Sequence, residues 1–95
     1  MTTQPPALKM LMMGYLHQDY RLIGDVQANV DEFIVEDPEL AALLPAEVSR
    51  VLAELDEEET RALVVRLGAE IRPPSGVTYR EWLTQIADRV RAATA

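Results

Sequence analysis

Apolar side chains recur with helical spacing along nearly the whole of this 95-residue chain, and no stretch alternates convincingly with the two-residue period of a strand. The clearest loop, at residues 73–76, holds two prolines and a glycine. A chain of this length forms one small domain with a modest core. We therefore predict an all-α fold, a single bundle of about five short helices within residues 1–95, with frayed ends at 1–6 and 92–95.

The helix boundaries follow from residues that cap or break helices. The first helix is predicted over 7–17, and Asp25 is placed to cap the second. A short helix is expected over 38–43, after an Asp-Pro pair that is typical of a helix start. Because proline interrupts the interior of a helix, the next helix should begin near Pro45 and run to Leu55.

Two capping boxes open the last two helices. In each, a side chain at the cap accepts a backbone hydrogen bond, and a glutamate three residues later reaches back to the cap. Asp56 with Glu59 forms one box, and Thr78 with Glu81 forms the other. Gly68 is placed to end the first of these helices in a left-handed conformation.

Negative charge is concentrated in the middle of the chain. The net charge is −7, but residues 25–59 hold twelve of the sixteen acids and a single base, Arg50, so this stretch alone carries −11. Such a field disfavours nucleic acid and anionic membranes and favours a basic protein partner, although a solvated or helix-capping role stays open. The contacts that we predict for this partner are Asp31, Glu32, Glu36, Glu39, Glu54, Glu57 and Glu58.

Composition removes several other kinds of site. The chain has no cysteine, so disulfides and thiolate chemistry are excluded. Neither acidic cluster has the glycine-centred pattern of a calcium loop, and one histidine cannot build a di-iron site, so we predict no metal and no cofactor. The apolar run at Leu8–Met13 is too short to span a bilayer and lacks a signal-peptide pattern, so we expect a soluble, unprocessed, cytoplasmic protein.

His17 and Asp19 are the only pair that suggests acid–base chemistry. A carboxylate can orient an imidazole for general-base catalysis, but no nucleophile lies in a recognisable setting. Polar residues at the end of a helix more commonly satisfy backbone groups. We therefore predict that this pair ties the end of the first helix to its loop and that the protein is not an enzyme.

Three segments of the chain carry its most specific sequence motifs. The first ends in His17, Gln18, Asp19 and Tyr20, and the second is the helix from Val26 to Phe33. The third includes Leu67-Gly68 and Pro73-Pro74 and ends in Arg80, Glu81, Trp82 and Leu83. In their order and spacing, from about Leu8 to Val90, these segments together resemble the CdiI-type immunity proteins of bacterial contact-dependent growth inhibition systems.

The resemblance implies a non-enzymatic protein that binds the toxic C-terminal domain of a delivered effector in the cytosol. The motif residues would then be structural, and the acidic middle would meet a basic toxin, for which a nuclease is a natural candidate. A helical adaptor module, or a homodimer with no toxin partner, is the alternative. Met10 and Met13, which lie outside the main apolar stripe of the first helix, would favour self-association.

Overall fold

The computed structural model describes residues 5–16, 26–69 and 72–94, and regular structure in these ranges is helical throughout. The helices are α1 (Pro6–Met10), which continues directly as a π-helical segment over Leu11–Tyr15, α2 (Val26–Glu36), α3 (Pro38–Ala41), α4 (Leu44–Glu54), α5 (Glu57–Arg66) and α6 (Tyr79–Thr94). Because α3 is a single turn, five longer helical segments build the bundle. The predicted all-α fold is confirmed, whereas the fraying expected at the two ends stays a prediction.

The last helix organises the bundle, since α6 packs against α2, α4 and α5. Its buried face consists of Trp82, Leu83, Ile86, Ala87 and Val90, and Tyr79 is partly buried against it. Trp82 is only 3% exposed. The remaining core side chains come from every other helix, so each helix is stabilised mainly by packing against the others.

The first helix differs from the continuous α-helix predicted over 7–17. Its second half is π-helical, and the backbone N–H of Leu16 donates to the carbonyl of Leu11, 2.9 Å away. This wider turn, with its five-residue spacing, places both Leu11 and Leu16 in the core together with Met12. The helix ends at Tyr15, and Tyr15 itself is half-buried on its edge.

The short helix α3 also ends earlier than predicted, at Ala41 rather than at residue 43. The N–H of Leu43 donates to the carbonyl of Leu40 at 3.0 Å, which closes the turn before α4 begins at Leu44. Pro45 therefore occupies the first turn of α4, where its missing N–H costs no intrahelical hydrogen bond.

The predicted capping boxes are present. The N–H of Glu59 donates to the Asp56 carboxylate at 2.8 Å, and the Thr78 hydroxyl accepts the N–H of Glu81 at 3.0 Å, with the return bond present in each box. Gly68 ends α5 with a φ of +113°, as expected of a left-handed C-terminal residue. The predicted Asp25 cap lies outside the described residues. No helix in the described ranges is long and apolar enough to cross a membrane.

Candidate partner-binding surface

One acid of the central stretch is buried and serves the fold. Glu47 lies on α4 and is 9% exposed, and its carboxylate accepts the N–H groups of Leu8 at 2.8 Å and Ala7 at 3.1 Å. It thereby satisfies two of the free N–H groups at the start of α1. Glu47 lies three residues after Leu44 and four residues before Val51, and this helical spacing places it on the apolar face of α4. Its burial could have been predicted from the sequence on this basis.

Glu57, which was predicted to contact a partner, also caps a distant helix. Its carboxylate accepts the N–H of Tyr79 at 2.8 Å and that of Arg80 at 3.1 Å, at the start of α6. The guanidinium of Arg80 in turn donates to the carbonyls of Leu55 and Leu52, the latter at 3.0 Å, at the end of α4. These contacts join the α4–α5 corner to the first turn of α6, so the Glu57 carboxylate is already occupied within the fold.

Only some of the motif residues that carry the family resemblance lie within the described ranges. Glu81 completes a capping box and Trp82 packs edge to face with Tyr79, with ring centroids 6.1 Å apart. This end of the motif therefore fixes where α6 begins. The residues at the other end lie outside the described ranges: His17, Gln18, Asp19 and Tyr20.

Four of the predicted contacts lie on two consecutive helices, and we call them the α2–α3 face: Asp31, Glu32, Glu36 and Glu39. Asp31 makes a bidentate ion pair with Arg89 of α6, with both N–O distances at 2.7 Å. The hydrogen bonds from Arg89 hold the pKa of the Asp31 carboxyl below its usual value. Because the pair is exposed to solvent, it contributes little to stability.

Tyr15 lies beside this face and is half-buried. Its ring packs against Phe33 with centroids 5.3 Å apart, and its hydroxyl donates to the Glu36 carboxylate. Partial burial raises the pKa of Tyr15 to about 12, and the hydrogen bond to Glu36 and the nearby charges of Glu32 and Asp37 act in the same direction. The phenol therefore sits in a negative field. The sequence feature that could have predicted this position is a tyrosine at the edge of an apolar stripe, where the ring packs on the core and the hydroxyl stays near water.

The seven predicted contacts are thus divided among different environments. Glu32 and Glu39 form no hydrogen bond or ion pair with any described residue, and the same holds for Glu54 on α4. Glu58 on α5 forms an exposed i, i+3 pair with Arg61 at 3.1 Å. Within the described ranges, no three histidine, aspartate or glutamate side chains gather as a metal site would require.

The sequence model of one protein family, described as CdiI immunity protein, matches residues 4–90. The chain therefore belongs to the CdiI immunity protein family. No curated protein and no solved structure gives a match. Membership of this family implies an immunity protein to a contact-dependent growth inhibition toxin, and such immunity proteins are generally non-enzymatic.

Proposed function

We propose that this immunity protein binds the toxic C-terminal domain of its effector in the cytoplasm and that the α2–α3 face makes the contact. The observation that carries the proposal is how the central acids are distributed. Glu47 and Glu57 cap other helices, whereas Glu32 and Glu39 are engaged by no described residue. On the α2–α3 face, Glu32 and Glu39 are therefore available to a partner, whereas Asp31 and Glu36 already bind Arg89 and Tyr15.

The field of this face suits a basic toxin. A cluster of like charges speeds encounter with a cationic surface and selects against anionic competitors. A nuclease presents such a surface to its substrate, so an acidic protein that covered it would exclude nucleic acid from the toxin. Neutralisation would then be steric and electrostatic, and no catalytic step would be needed.

Tyr15 would supply the anchor of this interface. An aromatic ring beside the carboxylates of Glu32 and Glu36 is suited to a lysine or arginine side chain, which gains both a cation–π contact and an ion pair. Tyrosine is also enriched among the few residues that dominate binding energy at protein interfaces. The surrounding acids would mainly set the association rate.

Charge reversal with a matched control tests the face. The variant Glu32→Lys/Glu39→Lys removes two acids that no described residue engages, and Glu58→Lys/Asp88→Lys makes the same net charge change on α5 and α6. The probe is the C-terminal domain of the effector encoded directly upstream, and the measurements are stopped-flow association at two salt concentrations and growth rescue. We expect the first variant to associate at least about tenfold more slowly at low salt and the second to change much less. Equal rates for the two variants would contradict the proposed face.

Self-association is the second candidate, since Met10 is 40% exposed and Met13 50% exposed. Exposed methionines on one helix provide an adaptable apolar contact for another copy or a different protein. Light scattering of the purified protein at high concentration tests this function. A strict monomer would count against it, and a dimer that persists when the toxin domain is added would favour it over toxin binding.

A further inference from the structure

A groove of about 960 Å³ opens between the start of α1, α4 and α5, and none of the four acids of the α2–α3 face lines it. Its walls are largely apolar, and Leu43 beside it is 51% exposed. The residues that line it are Pro5, Pro6, Leu43, Ala46, Glu47, Arg50, Val51, Glu54, Leu55, Leu63 and Arg66. This is the size and character of a surface that receives apolar side chains from a ligand or partner.

Two arginines at this groove have no anionic partner among the described residues. Arg50 has Glu54 four residues later on the same helix, yet no ion pair joins them, and Arg66 on α5 is likewise without a carboxylate. Glu47 also lines the groove, but its carboxylate is directed to the backbone of α1. Arg50 is moreover the single base within the acidic stretch 25–59.

We propose that this groove is a second contact site for the toxin and that it receives an apolar side chain of the toxin flanked by a carboxylate. The inference rests on the proposed function and adds the chemistry of a second, oppositely charged contact. Guanidinium groups bind carboxylates in a bidentate manner, and the apolar walls reduce competition from water. Glu54 at the groove would repel a carboxylate that approached from its side, and so would help to set the orientation of the bound segment.

An acidic face that binds cations and a groove that binds a carboxylate predict different effects when a surface cation is removed. If general attraction between an acidic protein and a basic toxin were the whole interaction, removing any surface cation should leave binding unchanged or strengthen it. If Arg50 and Arg66 hold a carboxylate, removing them should weaken binding although the protein becomes more acidic. The sign of the effect therefore separates local recognition from the overall field.

The test compares Arg50→Gln/Arg66→Gln with Lys9→Gln/Arg72→Gln, which removes the same charge from exposed positions that do not line the groove. Dissociation constants for the upstream-encoded toxin domain are measured by calorimetry, and thermal melts check that each variant is folded. We expect the groove variant to bind about tenfold more weakly or worse, mainly through faster dissociation, and the control to bind as well as or better than wild type. Leu43→Ser, which changes an exposed apolar side chain of the groove, should also weaken binding.

The possible outcomes separate the two proposals. Wild-type affinity in both the groove variant and Leu43→Ser would overturn the groove contact and leave the proposed function intact. Equal weakening by the groove variant and the control would also overturn it, because the effect would then not be local. If the wild-type protein itself fails to bind the toxin domain, the proposed function fails, and the groove contact fails with it.

Discussion

The carboxylate of Glu47 accepts the backbone N–H of Leu8 across a distance of 2.8 Å, so a residue of α4 completes the first turn of α1. Helix starts expose N–H groups that have no partner within the helix, and α1 has no side-chain cap of its own. The bond is charge-assisted and buried, and such bonds are about twice as strong as neutral ones. The start of α1 is therefore attached to the core by an acid 39 positions away.

Replacing Glu47 by glutamine should destabilise the protein by about 1–3 kcal/mol, because the amide keeps one acceptor and turns a donor toward a backbone N–H. Urea denaturation followed by circular dichroism measures the change. The control is Glu54→Gln on the same helix, which is exposed and should alter the free energy of unfolding very little. A loss no larger than that of the control would show that the cap contributes nothing.

Glu57→Gln should cost about 1 kcal/mol of stability, since it weakens the two hydrogen bonds that cap α6. Its neighbour Glu58 pairs only with Arg61 on the surface, so Glu58→Gln should cost about 0.3 kcal/mol or less. Chemical denaturation of both variants gives the comparison. Stopped-flow association would also show whether Glu57→Gln spares toxin encounter, as a purely structural role requires.

Tyr15 should ionise late in an alkaline titration, because its pKa is raised to about 12 from the ordinary value of 10.0. The raised pKa of Tyr15 stabilises the folded state. This stabilisation is fully present below pH 10 and is lost as the pH rises to about 12. Phenolate absorbance of the wild type and of Tyr15→Phe assigns the late step among the three tyrosines. Glu36→Gln should move this step to lower pH, and a Tyr15 that titrates near 10 would contradict the negative environment.

Gly68→Ala should destabilise the protein by about 1–2 kcal/mol, because residue 68 has a φ of +113° that disfavours a side chain. A Cβ there would lie 3.4 Å from the Cα of Met13, which is an ordinary van der Waals contact, so the cost comes from the backbone conformation. Gly76→Ala is the matched control, since Gly76 has a φ of +86°, which is nearer to the left-handed helical region, and open space around it. Thermal unfolding of the two variants compares the two conformational costs, and the Gly68 variant should be the less stable.

Local features of the fold could be predicted from the sequence because their partners are near in the chain. The box of Asp56 with Glu59 and the helix start at Pro45 each depend on residues within four positions. The left-handed end at Gly68 similarly follows from the lack of a Cβ, and here a Schellman arrangement is completed by Ala69 donating to Val64 at 3.4 Å. These signals are independent of the tertiary arrangement.

The roles of individual acids could not be predicted in the same way. Glu47 is 40 positions from Ala7 and Glu57 is 22 from Tyr79, so only the packed bundle brings each carboxylate to its helix start. Sequence charge alone therefore does not distinguish the acids that cap distant helices from those that no described residue engages. The π-helical turn at Leu11–Tyr15 was not predicted for a related reason. Only packing in the folded bundle decides whether a turn with i+5 hydrogen bonds buries its side chains better than an α-helical turn with i+4 hydrogen bonds.

The distant caps made by Glu47 and Glu57 separate the acids that hold helix starts from those of the proposed toxin interface. Substitutions at Glu32 or Glu39 would alter the charge of the α2–α3 face without removing a hydrogen bond made by any described residue. If that face contacts the toxin, its charge pattern can therefore change while the caps of α1 and α6 stay in place. Immunity variants with new specificities should be obtainable from libraries confined to those positions, with the two capping glutamates held constant.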